Sequence, residues 1–424
     1  MLELGVIADD LTGGMMVASL LEREGVNCPL ITSVEAMADL PDSADAVVIG
    51  RKIRLIPANE AVADAQRSAQ AFLDHDAKRI YYKYCATFDS TDEGNIGPIG
   101  EGLMQTMKTD RVIFCPAFPE YTVTIFEGRM FLGNTMLGDS MKQYDPVTPM
   151  TNSNLVEVLQ AQCEGKVGLL PHGVLARGMT AAEAHVQAQI DKGAHLFVVD
   201  AADNEDVTRI AQLATQWPLT TGADALPMFL ARTWMAEQGE VAQTTVLPPA
   251  PGHAAVIAGS CAPATLRQVV AFAEKHPVYQ VDLLDAADDS NIVEKIAAWA
   301  DDHLADGPVC VTTSADVEGV KRAQEKLGRD GAATLADNIL GRSAQALHER
   351  GVRKFVVAGG ETSGQVIGTL GVQQVQVSSF DNLGGGYCHA AGPDPLSLVL
   401  KAGALGDDQF FFTALERMRA ADAA

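Results

Sequence analysis

The stretch Lys354 to Gly371, KFVVAGGETSGQVIGTLG, predicts a buried strand that runs through a glycine turn directly into a helix. Phe355 to Ala358 form an unbroken apolar run, which is typical of a strand covered on both faces. Gly359-Gly360 follow, and without side chains they would let a ligand approach the backbone amides at the positive end of the helix. The pattern predicts either a phosphate site or an ordinary turn with Thr362 or Ser363 as the helix N-cap.

A second turn of the same kind ends the strand predicted at Ala254 to Gly259. Gly259 and Ser260 stand there between apolar residues and the next predicted helix, so the pattern of Gly359-Gly360 is repeated. Two such turns would face one crevice if their strands are neighbours, because parallel strands end at the same edge of a sheet. The pair favours a nucleotide site, although a GxxxxGK[ST] loop is absent and Gly5 to Gly14 does not match GxGxxG.

The composition excludes several functional classes. With 424 residues the chain is too long for one core and suggests two or three domains. A formal net charge of −24 argues against nucleic acid as a partner. No apolar run approaches the ~20 residues that span a bilayer, and the N-terminus lacks a basic cleavable leader. We therefore expect a cytoplasmic protein that acts on small molecules away from membranes, with a homodimer left open.

The cysteines and histidines indicate neither a disulfide framework nor a zinc site. Seven cysteines are scattered without a CxxC pair, and nine histidines show no HExxH or other close ligand spacing. We expect the cysteines to be reduced and mainly structural. A metal that takes part would be held by oxygen ligands and phosphates.

Alternating strand and helix patterns predict an α/β fold with two domains. They begin at Leu4 and imply largely parallel sheets flanked by helices. The segment 241–253, VAQTTVLPPAPGH, carries three prolines and no amphipathic pattern, so we interpret it as a linker. This divides the chain into an N-terminal domain, 1–240, and a C-terminal domain, 254–424.

Acidic residues follow the first predicted strand. Asp9 and Asp10 stand where the strand Leu4 to Ala8 meets the first helix. This is the edge at which open α/β sheets bind ligands. One carboxylate could face a substrate hydroxyl or a metal while the other accepts hydrogen bonds from backbone amides. The alternative is that one of them is only a helix N-cap.

Cations and further polar residues follow the next strands. The segment Arg51-Lys52-Ile53-Arg54 places three cations at a strand end, which indicates either a site for a carboxylate or phosphate or a solvated loop. Lys83 sits inside an apolar strand, where an unpaired ammonium is costly, so it should meet a partner or a ligand. Asp89 and Ser90 come next, either as further site residues or as a turn and a helix cap.

The order of motifs along the chain resembles that of the four-carbon acid-sugar kinases. The motifs are YKYCATFDST, GNIGP, CPAFP, PMTNSNL, GSCAPATLRQV and VAGGETSG, and the likeness runs from Leu4 to Phe412. The branch that phosphorylates 3-oxo-tetronate looks closest. The resemblance implies an N-terminal domain that binds the sugar acid and a C-terminal domain that binds ATP with Mg²⁺. It also implies an active site in the interdomain cleft, where the γ-phosphoryl group passes to a terminal hydroxyl.

The resemblance and the strand-end patterns together predict the site residues. We expect Asp9, Asp10, Lys52, Arg54, Lys83, Asp89 and Ser90 around the acid sugar, and Ser260, Gly359, Gly360, Glu361, Thr362, Ser363 and Gly403 around the nucleotide. Arg54 and Lys83 would supply the positive charge for the substrate carboxylate. Asp10 is the first candidate to accept the proton of the hydroxyl, and Asp89 the second. The metal ligands stay open.

The chain departs from the family pattern inside several motifs. The departures are Gly14-Met15-Met16, Tyr121-Thr122-Val123, Ala262 in GSCA, Leu383 to Gly386, and Ala402 and Ala404 around Gly403. Three hypotheses therefore stay open. They are a kinase for 3-oxo-tetronate, a kinase for D-threonate, D-erythronate or another small acid, and a diverged protein that binds a sugar acid or nucleotide without turnover.

Overall fold

The computed structural model describes residues 2–145, 147–238, 246–379 and 386–423. The chain divides into two compact units, Met1–Gln243 and Thr244–Ala424. Each unit is an α/β structure with a mainly parallel sheet, so the predicted fold class is confirmed. Among the described residues, no helix is long and apolar enough to cross a membrane.

The first unit contains a parallel sheet and a small antiparallel one. Its strands are β1 (Leu4–Ala8), β2 (Leu30–Ile31), β3 (Ala46–Gly50), β4 (Ile80–Lys83), β5 (Val112–Cys115), β6 (Val123–Phe126), β7 (Arg129–Leu132), β8 (Thr135–Met136), β9 (Lys166–Leu170), β10 (Ala194–Val199) and β11 (Leu219–Gly222). Its helices are α1 (Leu11–Arg23), α2 (Ala58–Asp74), α3 (Ile96–Met107), α4 (Leu155–Gln162), α5 (His172–Leu175), α6 (Met179–Ile190), α7 (Asn204–Ala214) and α8 (Ala225–Gln238).

The parallel sheet of the first unit has the order β2-β3-β1-β4-β11-β5-β10-β9. All five residues of β1 are buried, as expected for a strand covered on both faces. Its position next to β4 brings the predicted polar residues of both strand ends to one edge. The sequence predicts a hairpin in which the runs Thr122 to Phe126 and Arg129 to Leu132 flank Glu127-Gly128, and the structure has it as β6 and β7. The Asp200 carboxylate accepts hydrogen bonds from both amides of that turn, at 2.8 and 2.9 Å.

The second unit has one mixed sheet. Its strands are β12 (His253–Ala258), β13 (Val278–Gln280), β14 (Val309–Thr312), β15 (Val352–Ala358), β16 (Gln374–Val377), β17 (Gly386–Ala390) and β18 (Leu396–Lys401). Its helices are α9 (Pro263–Ala273), α10 (Leu283–Ala286), α11 (Ile292–Asp301), α12 (Val317–Leu327), α13 (Arg329–Glu349), α14 (Gly360–Thr369) and α15 (Phe410–Ala420). The order is β13-β14-β12-β15-β18-β17-β16, parallel as far as β18 and antiparallel beyond it.

Two sequence predictions are wrong in detail. The sequence predicts a strand from Val278 to Leu284, but the strand ends at Gln280, because the Asp282 carboxylate accepts a hydrogen bond from the Leu284 amide at 2.8 Å and starts the short helix α10. The sequence also predicts a strand from Cys28 to Thr32, but the structure has only the two residues of β2, which pair with β3. Apolar runs predicted both strands, but polar capping and limited pairing shortened them.

The predicted linker, 241–253, lies partly outside the described residues, as does most of the departure at Leu383 to Gly386. The described part of the predicted linker, residues 246–253, belongs to the second unit. Leu247 packs into the core of that unit, and the carbonyl of Ala250 accepts a hydrogen bond from Nζ of Lys354 at 2.6 Å.

Candidate functional site

The carboxyl edge of the first sheet collects charged side chains from three neighbouring strands. Asp9 and Asp10 follow β1, Lys83 ends β4, and Asp224 follows β11. In the strand register, both Ala8 of β1 and Gly222 of β11 align with Lys83. Lys83 therefore lies between two acidic strand ends.

Arg54 forms ion pairs with both acids that follow β1. Its guanidinium donates to both oxygens of Asp9 at 2.7 Å and to Oδ1 of Asp10 at 2.6 Å. Burial lowers the pKa of Arg54, but the charges of Asp9 and Asp10 outweigh it and hold this pKa well above its usual value. Arg54 thus stays charged, and its charge is already matched by two carboxylates.

Asp10 takes both of the roles that the sequence left open. It is the N-cap of α1, accepting a hydrogen bond from the Gly13 amide at 3.2 Å. It also belongs to the row of charged side chains at the strand ends, which we call the charged row: Asp9, Asp10, Arg54, Lys83 and Asp224. Burial raises the pKa of Asp10, but the Arg54 and Lys83 charges and the Gly13 amide outweigh it and lower this pKa below 3.8. The hydrogen bonds from the Gly13 amide and from Arg54 both go to Oδ1, which leaves Oδ2 to accept from a ligand.

Lys83 is the least satisfied group at this edge. Its side chain is only 4% exposed, and Nζ lies 3.7 Å from an oxygen of Asp10 and 3.7 Å from one of Asp224. It donates no hydrogen bond to any residue that the structure describes. Burial lowers the pKa of Lys83, but Asp224 and Asp10 outweigh it and raise this pKa, so the ammonium persists. Because polar groups with so little exposure are usually hydrogen-bonded, this ammonium is a candidate donor to a ligand oxygen.

A second group surrounds Asp89. Its carboxylate accepts hydrogen bonds from Nζ of Lys142 at 2.7 Å and from Oγ1 of Thr87 at 2.5 Å. Ser90 is buried, and its Oγ accepts from the Gln162 amide at 2.9 Å. Burial raises the pKa of the Cys85 thiol, and Asp89 adds to this effect. Asp89 is therefore paired with a lysine that the sequence analysis did not single out.

The three cations after β3, Arg51, Lys52 and Arg54, have different surroundings. Arg51 forms two hydrogen bonds of 2.6 Å with the Asp64 carboxylate, so it stabilises the unit and is not available as an anion site. Lys52 is exposed and makes no hydrogen bond or ion pair within the described part of the chain. Only Arg54 joins the acids at the strand ends.

Sequence reasoning missed Asp224 and Lys142. Asp224 follows the short strand β11, which has only four residues and two threonines, so its strand pattern was not recognised. The signal was the same as for Asp9, an acid between a buried strand and a helix. Lys142 lies in a 3₁₀ helix after the hairpin, and no local pattern identifies it.

The glycine turns of the second unit are adjacent because β12 pairs with β15. Gly359 has φ of +134°, which favours glycine, and a Cβ at Gly259 would lie 2.2 Å from Oγ1 of Thr362. Helix α14 begins at Gly360, and its first internal hydrogen bond from a later residue is that of the Ser363 amide to Gly359. The amides at the start of α14 are therefore directed toward the turn.

The side chains of Thr362 and Ser363 bond within the protein. The Thr362 hydroxyl donates to Asp337 at 3.1 Å, and the Ser363 hydroxyl donates to the Gly359 carbonyl at 2.7 Å. Neither is the N-cap, because that position is Gly359. Glu361 is exposed in the first turn. Any contact of this turn with a ligand thus depends mainly on backbone amides.

Gly403 packs tightly on the β12 turn. A Cβ at Gly403 would lie 1.9 Å from Oγ of Ser260, so no larger residue fits without displacement. The Gly403 carbonyl accepts hydrogen bonds from Oγ1 of Thr265 at 2.8 Å and from Nζ of Lys401 at 3.0 Å. Lys401 is fully buried, and burial lowers its pKa from 10.5 to about 8.

A cavity of about 480 Å³ adjoins the β12 turn within the second unit. Gly259 and Cys261 contribute to its wall. The remaining wall comes from the ends of β13 and β14 and from α12 and α13, with mainly apolar residues that include Val281, Leu283, Val320, Ala323, Ala332 and Ala336. A cavity of this size and lining suits a small organic ligand.

No group of three or more His, Cys, Asp or Glu within the described residues could hold a metal ion. In the first unit the carboxylates are interleaved with Arg54 and Lys83, which occupy the place of a cation. This arrangement is compatible with Mg²⁺, since that ion commonly binds through phosphates and waters with only one or two carboxylates.

Comparison with known proteins matches both units. Residues 4–230 match the model of a sugar-binding N-terminal domain, and residues 255–411 match that of a nucleotide-binding C-terminal domain. The chain is 38% identical to the 3-oxo-tetronate kinase of Pseudomonas fluorescens, over 98% of this chain and 97% of that protein. It is 37% identical to the 3-oxo-tetronate kinase of Burkholderia multivorans, with the same coverage.

Two solved structures are also similar over nearly the whole chain. A protein from Salmonella typhimurium LT2 superposes with a TM-score of 0.87 at 32% identity, covering 98% of this chain and 99% of that one. Protein HI1011 of Haemophilus influenzae superposes with a TM-score of 0.78 at 31% identity, covering 98% of this chain and 100% of that one.

Proposed function

Because the chain belongs to the four-carbon acid-sugar kinase family, a family of phosphotransferases that act on an alcohol group, we propose that it phosphorylates the terminal C4 hydroxyl of 3-oxo-tetronate with ATP. We assign the acid sugar to the predicted domain 1–240 and the nucleotide to 254–424. The predicted cytoplasmic location and the predicted transfer in the cleft between the domains belong to this proposal.

The buried Lys83 ammonium is the observation that carries the proposal for the first unit. It has no hydrogen-bond acceptor among the described residues, and two carboxylates lie at 3.7 Å. An oxygen-rich small molecule would supply the missing acceptor and could donate its hydroxyls to the flanking acids. We assign Oδ2 of Asp10 to the reacting hydroxyl, whose proton it would accept. Asp89, paired with Lys142, is the second candidate for this role.

The second unit supports a triphosphate site made of backbone groups. Gly359, Gly360 and the first amides of α14 would surround the phosphates, with Ser260 and Gly403 closing the neighbouring turn. We assign the adenosine group to the adjoining cavity of about 480 Å³. Mg²⁺ would be bound to the phosphates and would neutralise their charge, and Glu361 in the first turn of α14 is a carboxylate that could assist.

Phosphoryl transfer mainly requires alignment and neutralisation of charge. In this protein, Asp10 would orient the hydroxyl, Lys83 would hold an oxygen of the acid, and Arg54 would keep Asp9 and Asp10 in place. The glycine turns would hold the donor phosphates without competing side chains. Closure of the two domains around both ligands would exclude water and limit hydrolysis of ATP.

The direct test is ADP release with Mg-ATP across a panel of four-carbon acids. We expect turnover with 3-oxo-tetronate. Turnover only with D-threonate or D-erythronate would replace the proposed substrate with one of these acids. Silence on every acid, with ATP still raising the melting temperature, would indicate a binding protein without turnover.

A further inference from the structure

Asp224 has the properties of a ligand-binding residue. Its side chain is 13% exposed, and within the described ranges its one ion pair is the 3.7 Å contact with Lys83. It receives no hydrogen bond from the residues that the structure describes. Buried carboxylates normally accept several hydrogen bonds, so Asp224 has acceptor capacity that the protein itself does not use.

The charges at the strand ends argue against an anion in direct contact with Lys83, between the carboxylates of Asp10 and Asp224. Asp9, Asp10 and Asp224 carry three negative charges, and Arg54 and Lys83 carry two positive charges. A substrate carboxylate on Lys83 would add a fourth negative charge within a few ångströms of the others. Hydroxyl groups, which donate hydrogen bonds to carboxylates, fit the row better.

The strand order fixes the sequence in which acceptors and donors follow one another along the edge. Asp10 follows β1, Lys83 ends β4 and Asp224 follows β11, and these strands are neighbours in that order. The row therefore presents an acceptor, a donor and an acceptor. In 3-oxo-tetronate the C4 hydroxyl, the C3 carbonyl and the C2 hydroxyl present a donor, an acceptor and a donor in sequence.

We infer that Asp224 accepts a hydrogen bond from the C2 hydroxyl of the acid sugar while Lys83 donates to the C3 oxygen and Asp10 accepts from the C4 hydroxyl. This inference rests on the proposed function. It replaces the expectation that Lys83 holds the substrate carboxylate, and it makes Asp224 the residue that selects 2-hydroxy acids.

The test measures binding rather than turnover. Calorimetric titration of the full chain with 3-oxo-tetronate and with its 2-deoxy analogue, 4-hydroxy-3-oxobutanoate, gives a ratio of dissociation constants. A hydrogen bond to a charged group predicts a ratio of roughly 10- to 100-fold for the unchanged protein. In Asp224→Ala, the ratio should fall close to one, because the 2-hydroxyl has lost its partner.

Two further variants keep the test independent of folding. Asp224→Asn retains the shape and one acceptor oxygen, so its ratio should lie between those of the unchanged protein and Asp224→Ala. Asp64→Asn removes another buried carboxylate of the first unit, the partner of Arg51, and should lower the melting temperature without changing the ratio. Melting curves of all variants show which of them are folded.

A ratio that stays the same in Asp224→Ala and Asp224→Asn would overturn the inference and leave the proposed phosphoryl transfer intact, whereas a failure of 3-oxo-tetronate to bind the unchanged protein would overturn both. A collapsed ratio without any ADP release would leave Asp224 as a recognition residue and would refute only the proposed phosphoryl transfer. The two failures are therefore distinguishable.

Discussion

The two units present different chemistry at the carboxyl edges of their sheets. In the first unit, the edge carries the charges of Asp9, Asp10, Lys83 and Asp224. In the second unit, the corresponding edge carries glycine turns and the first amides of α14. Both sheets are mainly parallel, so the fold alone does not decide what an edge binds.

The two edges show how one architecture can provide two kinds of recognition site. A small acid sugar is distinguished by the positions of its oxygens, and side chains with fixed charges can match them individually. A triphosphate is the same in every nucleotide, so closely spaced backbone amides are sufficient. Substitutions of side chains should therefore act strongly on the first edge, and added Cβ atoms should act strongly on the second.

The largest effect is expected for Asp10→Asn. Loss of the group that accepts the proton should lower kcat by about 10²- to 10⁴-fold, as for other general bases. Affinity for ADP should stay within experimental error, because Asp10 belongs to the acid edge. Steady-state kinetics and ADP titration measure both, and an unchanged kcat would exclude Asp10 as the base.

Lys83→Met should have the next largest effect. It removes the donor between Asp10 and Asp224 and leaves two carboxylates facing each other. Affinity for 3-oxo-tetronate should fall by roughly 100-fold, since a hydrogen bond from a charged group is lost. Calorimetric titration with the acid tests this, and the acid binding as tightly as before would contradict the assignment.

Gly403→Ala tests the second edge by the opposite kind of change. Its Cβ would lie 1.9 Å from Oγ of Ser260, so the turn must shift. We expect ADP affinity to fall by about 10-fold, in line with the cost of overpacking, while acid binding is unchanged. Equal losses for both ligands would indicate general destabilisation instead of a local effect on the nucleotide turn.

The affinity for ADP should depend on pH through the ionisation of Lys401. Burial lowers its pKa to about 8, and Nζ holds the carbonyls of Ala402 and Gly403 at 2.9 and 3.0 Å. A bound phosphate favours the charged ammonium, so binding should take up a proton and ADP affinity should decrease as pH rises above 8. Titrations in buffers of different ionisation enthalpy measure this uptake, and Lys401→Met should abolish it.

The contribution of Lys401 to the free energy of unfolding should change with pH in the opposite direction to ADP affinity. Between about 8 and 10.5 the folded protein binds fewer protons at Lys401 than the unfolded chain does, so the contribution of Lys401 to the free energy of unfolding increases with pH. Affinity and this contribution should therefore change in opposite directions over that range. ADP affinity that is constant from pH 7 to 10 would show that the ionisation of Lys401 is not coupled to nucleotide binding.

The smallest effect is expected for Ser363→Ala. The hydroxyl donates to the Gly359 carbonyl at 2.7 Å, and we assign phosphate contact to the backbone of this turn. ADP affinity should fall by about 10-fold at most, the equivalent of one neutral hydrogen bond. A much larger loss would show that the side chain itself contacts the nucleotide, and the comparison between the two edges would need revision.

Much of this arrangement is predictable from the sequence. Apolar runs followed by glycine or acidic residues identified the ends of β1, β12 and β15, because a buried strand and its turn are encoded locally. Asp224 and Lys142 were missed since their importance depends on which strands and loops become neighbours. The pairing of Arg54 with two acids is likewise a tertiary property, and it changes the charge available to a substrate.

The most direct test of the account is the ³¹P NMR spectrum of the products formed from Mg-ATP and 3-oxo-tetronate by the unchanged protein. We predict a new phosphomonoester resonance coupled to the two C4 protons, in equal amount to the ADP formed. ADP that accumulates with only inorganic phosphate, or a phosphate ester on another carbon, would contradict the assignment of Asp10 and the charged row to the terminal hydroxyl.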